Sequence, residues 1–198
     1  GGEDNVFPHH ECEIAQTEAH TDKRFVSIWM HARHLLVDGT KMSKSLGNFF
    51  TVADILGRGY SGLELRYALI RVQYRQSLNF TLKGLDEARA AIGRVQEARK
   101  RLVRARDGAE RAGDDDLAAA AARAHDAFTG AMAEDLNVSE ALAAVFDFVG
   151  TCNRAQPSVA GATAALGAFA RFEDVLGCFG PEPAADAGAK AGDVPGFT

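Results

Sequence analysis

Two lysines three positions apart, Lys41 and Lys44, bracket Met42 and Ser43 and are followed by Ser45. An ammonium on a flexible stem is a point charge suited to a polyphosphate. In nucleotidyl transfer it neutralises the charge that builds up as pyrophosphate departs, a positional and electrostatic contribution rather than a covalent one. Ser43 and Ser45 add hydroxyl donors to the same stretch. A second pair with chemical reach is His9 and Glu13. Four apart on a helix, they project from one face, where an imidazole nitrogen and a carboxylate oxygen can share a zinc ion. Spacing alone decides neither case. A lone K-x-x-K is most often a solvated loop, and a His/Glu pair at this spacing is more often a surface hydrogen bond. His10 lies about 100° further round a helix and is expected to face elsewhere. Cys12 is either a spare soft ligand or, more commonly for such a thiol, a packed neighbour of the site. The stretch is not the HExxH helix of a metalloprotease, because Ile14 stands where its second histidine would be.

The elements that must position these residues are legible in outline. His34–Val37 reads as extended, and Asp38-Gly39 suits the positive φ of a tight hairpin turn. Pro8 fits a first helical turn, opening a helix over about 9–20. The stretch 25–37 mixes aromatic and β-branched residues, with Trp29 expected in the core. Val52–Leu56 is a short helix candidate. Leu63, Tyr67, Ile70 and Tyr74 follow helical spacing. So do Leu85, Ala88, Ile92, Val95 and Leu102, on a helix from about Lys83 to Arg111. Asp114, Asp115 and Asp116 cap an alanine-rich helix that runs to about Glu134. Asn137 and Glu140 form a capping-box-like start for a helix to Arg154, with Leu142, Val145, Phe146 and Val149 buried. A last helix spans about Thr163 to Cys178 around Leu166, Phe169, Phe172 and Leu176. Residues 181–198, rich in Ala, Gly, Pro and Asp, read as a linker or disordered tail.

Composition bounds the rest. The 198 residues are 46% hydrophobic and 25% charged, which are globular values. The net charge of −5 makes no global case for nucleic acid, but its distribution is uneven. Residues 83–111 carry nine basic and five acidic side chains, whereas residues 113–198 carry four and thirteen. An acidic end should not lie against a phosphate backbone. Arg99, Lys100 and Arg104 share a broad helical face, with Arg101 turned away. Such a face is usually just solvated, and binding to a nucleic-acid backbone is the alternative for it. Cys12, Cys152 and Cys178 are too few and too widely spaced for a disulfide framework. A reducing cytoplasm is expected, with Cys152 and Cys178 in the core. No window has the apolar length of a membrane span.

The longer strings add what spacing cannot. Lys41-Met42-Ser43-Lys44-Ser45 resembles the signature loop of class I aminoacyl-tRNA synthetases. Residues 1–16, GGEDNVFPHHECEIAQ, resemble a stretch of the cysteinyl-tRNA synthetase family, as do Tyr74–Phe80 and Glu134–Leu142, in that family's order. The resemblance implies a mainly α fold: the C-terminal part of a Rossmann-like (HUP-type) α/β catalytic domain over residues 1–58, a stem-contact segment over 59–82, and an antiparallel helical bundle that docks tRNA over 83–180. It implies catalytic roles for Lys41 and Lys44, and ATP contacts from Gly2, Asp4, Ser43 and Lys44, with His31 lining the same pocket. It implies one zinc ion held by His9, Glu13 and two cysteines upstream, with ATP as a substrate accompanied by Mg²⁺. That zinc would take the substrate thiolate, and its preference for soft sulfur suits separating cysteine from serine. The expected partners are tRNA(Cys), L-cysteine and ATP, for a monomer without a membrane. The chain is expected to be a fragment, because the family's HIGH-type motif would lie upstream, and to be inactive alone. Two rival readings stay open: a related ligase that joins cysteine to an aminosugar-inositol acceptor in mycothiol biosynthesis, and a non-catalytic helical RNA-binding module.

Overall fold

The computed structural model describes residues 1–108 and 116–183, the Lys44 side chain excepted. The capping Asp114 and Asp115, the helix end at Arg111 and the tail from residue 184 lie outside the described residues. The fold is mainly helical with one small mixed sheet, as expected. The chain divides into two compact units, residues 1–49 with 72–81 and residues 50–71 with 82–198. The 59–82 segment is thus shared between them: 59–71 belongs with the helices and 72–81 with the sheet.

In the first unit, a wound turn over Val6–His10 runs into helix α1 (Glu11–Thr21). Asp22 closes α1 in the left-handed conformation, its N–H bonded to the Glu18 carbonyl at 2.9 Å. Strand β1 (Leu36–Val37) pairs antiparallel with β2 (Thr40–Lys41), Val37 opposite Thr40. Asp38 (φ 48°) and Gly39 (φ 77°) form the turn, so the local preference of an Asp-Gly pair decides the hairpin. Strand β3 (Asn79–Phe80) lies parallel to β1 on its other side, and the Asn79 carboxamide accepts from Gly39 N–H at 2.8 Å. The stretch 25–31 forms no helix. It runs past Gly1–Gly2, with Gly1 N to Met30 O at 3.0 Å and Glu3 N to Ala32 O at 3.0 Å. Trp29 is exposed rather than in the core.

The second unit opens with two short helices, α2 (Val52–Gly57) and α3 (Gly62–Ile70), each started by a capping box: Thr51 with Asp54, and Ser61 with Glu64. Four longer helices follow: α4 (Leu82–Asp107), α5 (Asp116–Ala133), α6 (Val138–Arg154) and α7 (Val159–Leu176). Their core holds Leu85, Val95, Leu102, Leu117, Phe128, Val145, Phe148, Phe169 and Phe172. Phe148 packs 5.2 Å from Phe169, centroid to centroid, and Phe128 4.8 Å from Phe172. Phe148, not Phe146, is therefore the buried aromatic of α6. Phe146 lies under the Arg94 guanidinium, 4.8 Å away. Cys152 and Cys178 are buried as expected, and burial pushes both thiols up to about 12, so neither is a nucleophile near neutral pH. Among the described residues no helix is long and apolar enough to cross a membrane.

The basic run on α4 is mostly occupied by structural work. Arg99 is buried and donates to the Gly180 carbonyl at 2.8 Å. Burial lowers its pKa, an effect that Glu173 and Glu182 oppose. Arg101 donates to the carbonyls of Cys152, Asn153 and Ala155, closing the C-terminus of α6. Lys100 pairs with Glu97 at 2.7 Å, and Arg106 with Asp107 and Glu182. The expectation that Arg99 faces RNA is thereby overturned: the carbonyls at helix and turn ends need donors, and these side chains are the ones within reach. Arg104 remains exposed.

Candidate active site

The lysine loop follows directly from the hairpin. Lys41 is the last residue of β2 and is exposed. Lys44 opens a single 3-10 turn, Lys44–Leu46, which ends at Gly47 (φ 67°). One amide fastens the base of this loop. Asn48 Oδ1 accepts from Ser43 N–H at 2.8 Å, while its Nδ2 donates to Thr40 Oγ1 at 3.0 Å and to the Lys41 carbonyl at 3.1 Å. Ser43 Oγ accepts from Leu46 N–H at 3.2 Å and lies 2.8 Å from Ser45 Oγ. The serine hydroxyls therefore shape the turn in this state. Sequence reasoning missed Asn48. An asparagine beside a positive-φ glycine, five residues beyond a serine, was the available signal.

The other candidate residues cluster at the start of the chain. Asp4 folds back over Gly2, and a Cβ at Gly2 would lie 2.4 Å from Asp4 Oδ1, so a side chain there would displace the Asp4 carboxylate from this position. The Asp4 carboxylate stays exposed, 3.8 Å from His34 Nε2, and is free to accept from a hydroxyl pair such as that of a ribose. His9 Nε2 lies 3.9 Å from Glu13 Oε1, both side chains open to solvent. Ligands on one tetrahedral zinc, each bonded at about 2.0–2.2 Å, stand roughly 3.3–3.6 Å apart. A small side-chain adjustment brings this pair into range, so the donor chemistry fits a zinc ion.

His10 does not simply face elsewhere. The ligand atoms of His9, His10 and Glu13 all lie within 4.8 Å of one another, with His10 Nε2 4.0 Å from Glu13 Oε2. The other His10 nitrogen, Nδ1, is hydrogen-bonded to His31 Nε2 at 2.8 Å. Trp29 stacks on His31 at an interplanar angle of 8° and flanks His10 at 4.8 Å. Partial burial first, and then the neighbouring His10, lower the His31 pKa below the ordinary imidazole value. Cys12 is exposed on α1 and outside this donor cluster, so it is not the packed neighbour expected.

Comparison with known proteins bears on the family of the chain. A model of the class I (C) tRNA synthetase catalytic domain matches residues 1–90, and a model of the DALR domain matches residues 127–180. A cysteine–tRNA ligase of Solibacter usitatus is 46% identical over 200 residues, covering 98% of this chain and 41% of the relative. One from Protochlamydia amoebophila is 42% identical over 181 residues, 89% of this chain and 37% of the relative. One from Chlamydia muridarum is 48% identical over 158 residues, 77% and 32%. The chain thus spans about two fifths or less of the length of these relatives.

Proposed function

We propose that this chain, which belongs to the cysteine–tRNA ligase family, supplies the second half of the catalytic domain and the helical domain of an enzyme that activates cysteine with ATP and esterifies tRNA(Cys). The observation that carries the reading is the KMSKS loop built on a hairpin, in the same unit as a His9/Glu13 donor pair. In the first step a cysteine carboxylate oxygen attacks the α-phosphorus of ATP, the bond to the β-phosphate oxygen breaks, and pyrophosphate leaves with Mg²⁺. Lys44, assisted by Lys41, balances the charge on the departing group, and Asp4 beside Gly2 accepts from the ribose hydroxyls. In the second step a hydroxyl of the tRNA 3′ end attacks the carbonyl carbon of cysteinyl-adenylate and AMP leaves. His9 and Glu13 would hold the zinc together with ligands from elsewhere in the enzyme. When bound, zinc supplies a soft Lewis-acid partner for the substrate sulfur. The three free thiols and a thiol substrate suit a reducing cytoplasm.

Cysteine-dependent exchange of labelled pyrophosphate into ATP, followed by charging of tRNA(Cys), tests the reading in the intact enzyme. Exchange that is equally rapid with serine, or that needs no amino acid, would refute it.

Docking of tRNA is proposed for the helical unit, now resting on Arg104 and Lys100 rather than Arg99. Removing one cation from a phosphate flattens the slope of log affinity against log salt by somewhat under about one unit. Arg104→Ala is expected to show that change. Arg99→Ala should leave the slope unaltered while lowering thermal stability. Equal slopes for the wild type and Arg104→Ala would mean that this face is only solvated.

A further inference from the structure

We infer that His10 is a positioning residue for the zinc site, orienting the ligand Glu13 through its Nε2 while His31 fixes its Nδ1. The inference rests on the zinc reading above and deepens it. Glu13 faces two imidazoles with its two oxygens: Oε1 lies 3.9 Å from His9 Nε2 and Oε2 lies 4.0 Å from His10 Nε2. The two histidines differ sharply in setting. The His9 side chain is 65% exposed, whereas that of His10 is 14% exposed.

The His10 ring is held on every edge that matters. Nδ1 is bonded to His31 Nε2 at 2.8 Å. Trp29 and His31 flank the ring at 4.8 and 4.9 Å. The Gly1 backbone closes the remaining side, since a Cβ there would lie 2.8 Å from His10 Cε1 and 3.3 Å from Nε2. A ring so held presents Nε2 in one direction, towards Glu13. When Nδ1 accepts from His31 Nε2–H, the His10 proton sits on Nε2, which faces Glu13 Oε2 across 4.0 Å, and the small side-chain adjustment that closes Glu13 onto the metal brings the two within hydrogen-bond reach. That leaves Oε1, on the His9 side, for the metal. Hydrogen bonding to a ligating carboxylate fixes its orientation and tunes its affinity. His10 thereby joins Glu13 to the Trp29–His31 stack, and the stretch 29–31 supports the metal site without touching the ion.

The test uses His10→Ala, His10→Asn and His10→Gln in the intact enzyme, with zinc affinity read by competition against a chromophoric chelator. The Gln nitrogen falls near the imidazole Nε2, and the Asn nitrogen near Nδ1. Ala and Asn are expected to weaken zinc binding about 10- to 100-fold, while Gln should stay within a few-fold of wild type. The visible spectrum of the Co²⁺-substituted Ala variant should keep its band positions, because the ligand set is unchanged. The Asn and Gln variants, equal in polarity, control for a general loss of structure. Unchanged zinc affinity in the Ala variant would overturn the inference, as would shifted cobalt bands, which would make His10 a ligand itself. A wild-type enzyme that holds no zinc removes the metal reading and this inference with it. A wild-type enzyme that holds zinc, beside an indifferent Ala variant, removes this inference alone.

Discussion

Lys44→Ala in the intact enzyme is expected to slow cysteine-dependent pyrophosphate exchange by about 100-fold or more, the usual cost of removing one preorganised electrostatic partner from a developing charge. The ammonium meets a charge that grows only as the bond to the β-phosphate breaks. The loss should therefore fall on the rate of adenylate formation and hardly on cysteine binding. Lys41, exposed at the end of β2, is expected to matter less because it assists from the strand, three residues before Lys44. The loop backbone should survive the substitution, since it is fastened by the Asn48 carboxamide to Ser43, Thr40 and Lys41 rather than by the lysine. Measuring exchange at saturating cysteine, with the cysteine KM alongside, checks both halves. Unchanged exchange would remove Lys44 from the mechanism, and a raised KM at unaltered maximal rate would make it a ground-state binding residue.

How much of this was readable from the sequence depends on the range of the interaction involved. The hairpin was legible because Asp38-Gly39 settles its own backbone, and the helices because apolar residues recur at their period. Where two stripes fit one helix, the pattern could not choose. Phe146 of α6 lies four residues after Leu142 and Phe148 three after Val145, and the choice is made by Phe169 on α7, which meets Phe148. Charge was the least transparent property. The sequence shows Arg99, Arg101 and Arg106 as a basic run, but not that the end of α6 and the turn after α7 present carbonyls to Arg101 and Arg99, or that Glu182 reaches Arg106. In the candidate site, His9 and Glu13 were found by a local four-residue spacing. The His10–His31 bond joins residues 21 apart, and the Trp29 stack depends on the path of 25–31, which has no periodicity to read.

Glu173→Ala is expected to destabilise the helical unit by about 3–5 kcal/mol, because this one carboxylate serves three backbone donors and each partly buried N–H left without an acceptor costs about 1–3 kcal/mol. Cys178 N–H and Phe179 N–H donate to Oε2 at 3.1 and 2.8 Å, and Gly180 N–H donates to Oε1 at 3.0 Å. The same turn offers its carbonyls outward to three other side chains. Arg66 Nε donates to Leu176 O at 2.6 Å, Gln96 donates to Phe179 O, and Arg99 donates to Gly180 O at 2.8 Å. Gly177 (φ 58°) and Gly180 (φ 79°) permit the path, and Cys178 and Phe179 are driven fully into the core by it. Losing Glu173 therefore releases two buried side chains as well as three hydrogen bonds, and it removes the carboxylate that most favours the charge on the buried Arg99. For a unit of this size the change corresponds to a thermal midpoint lower by roughly 10–20 °C. Glu173→Gln, which keeps an amide oxygen but only one, should recover part of the loss. A midpoint within about 2 °C of wild type for Glu173→Ala would show that water replaces the carboxylate at this turn and that apolar packing of Phe179 alone holds the segment in place.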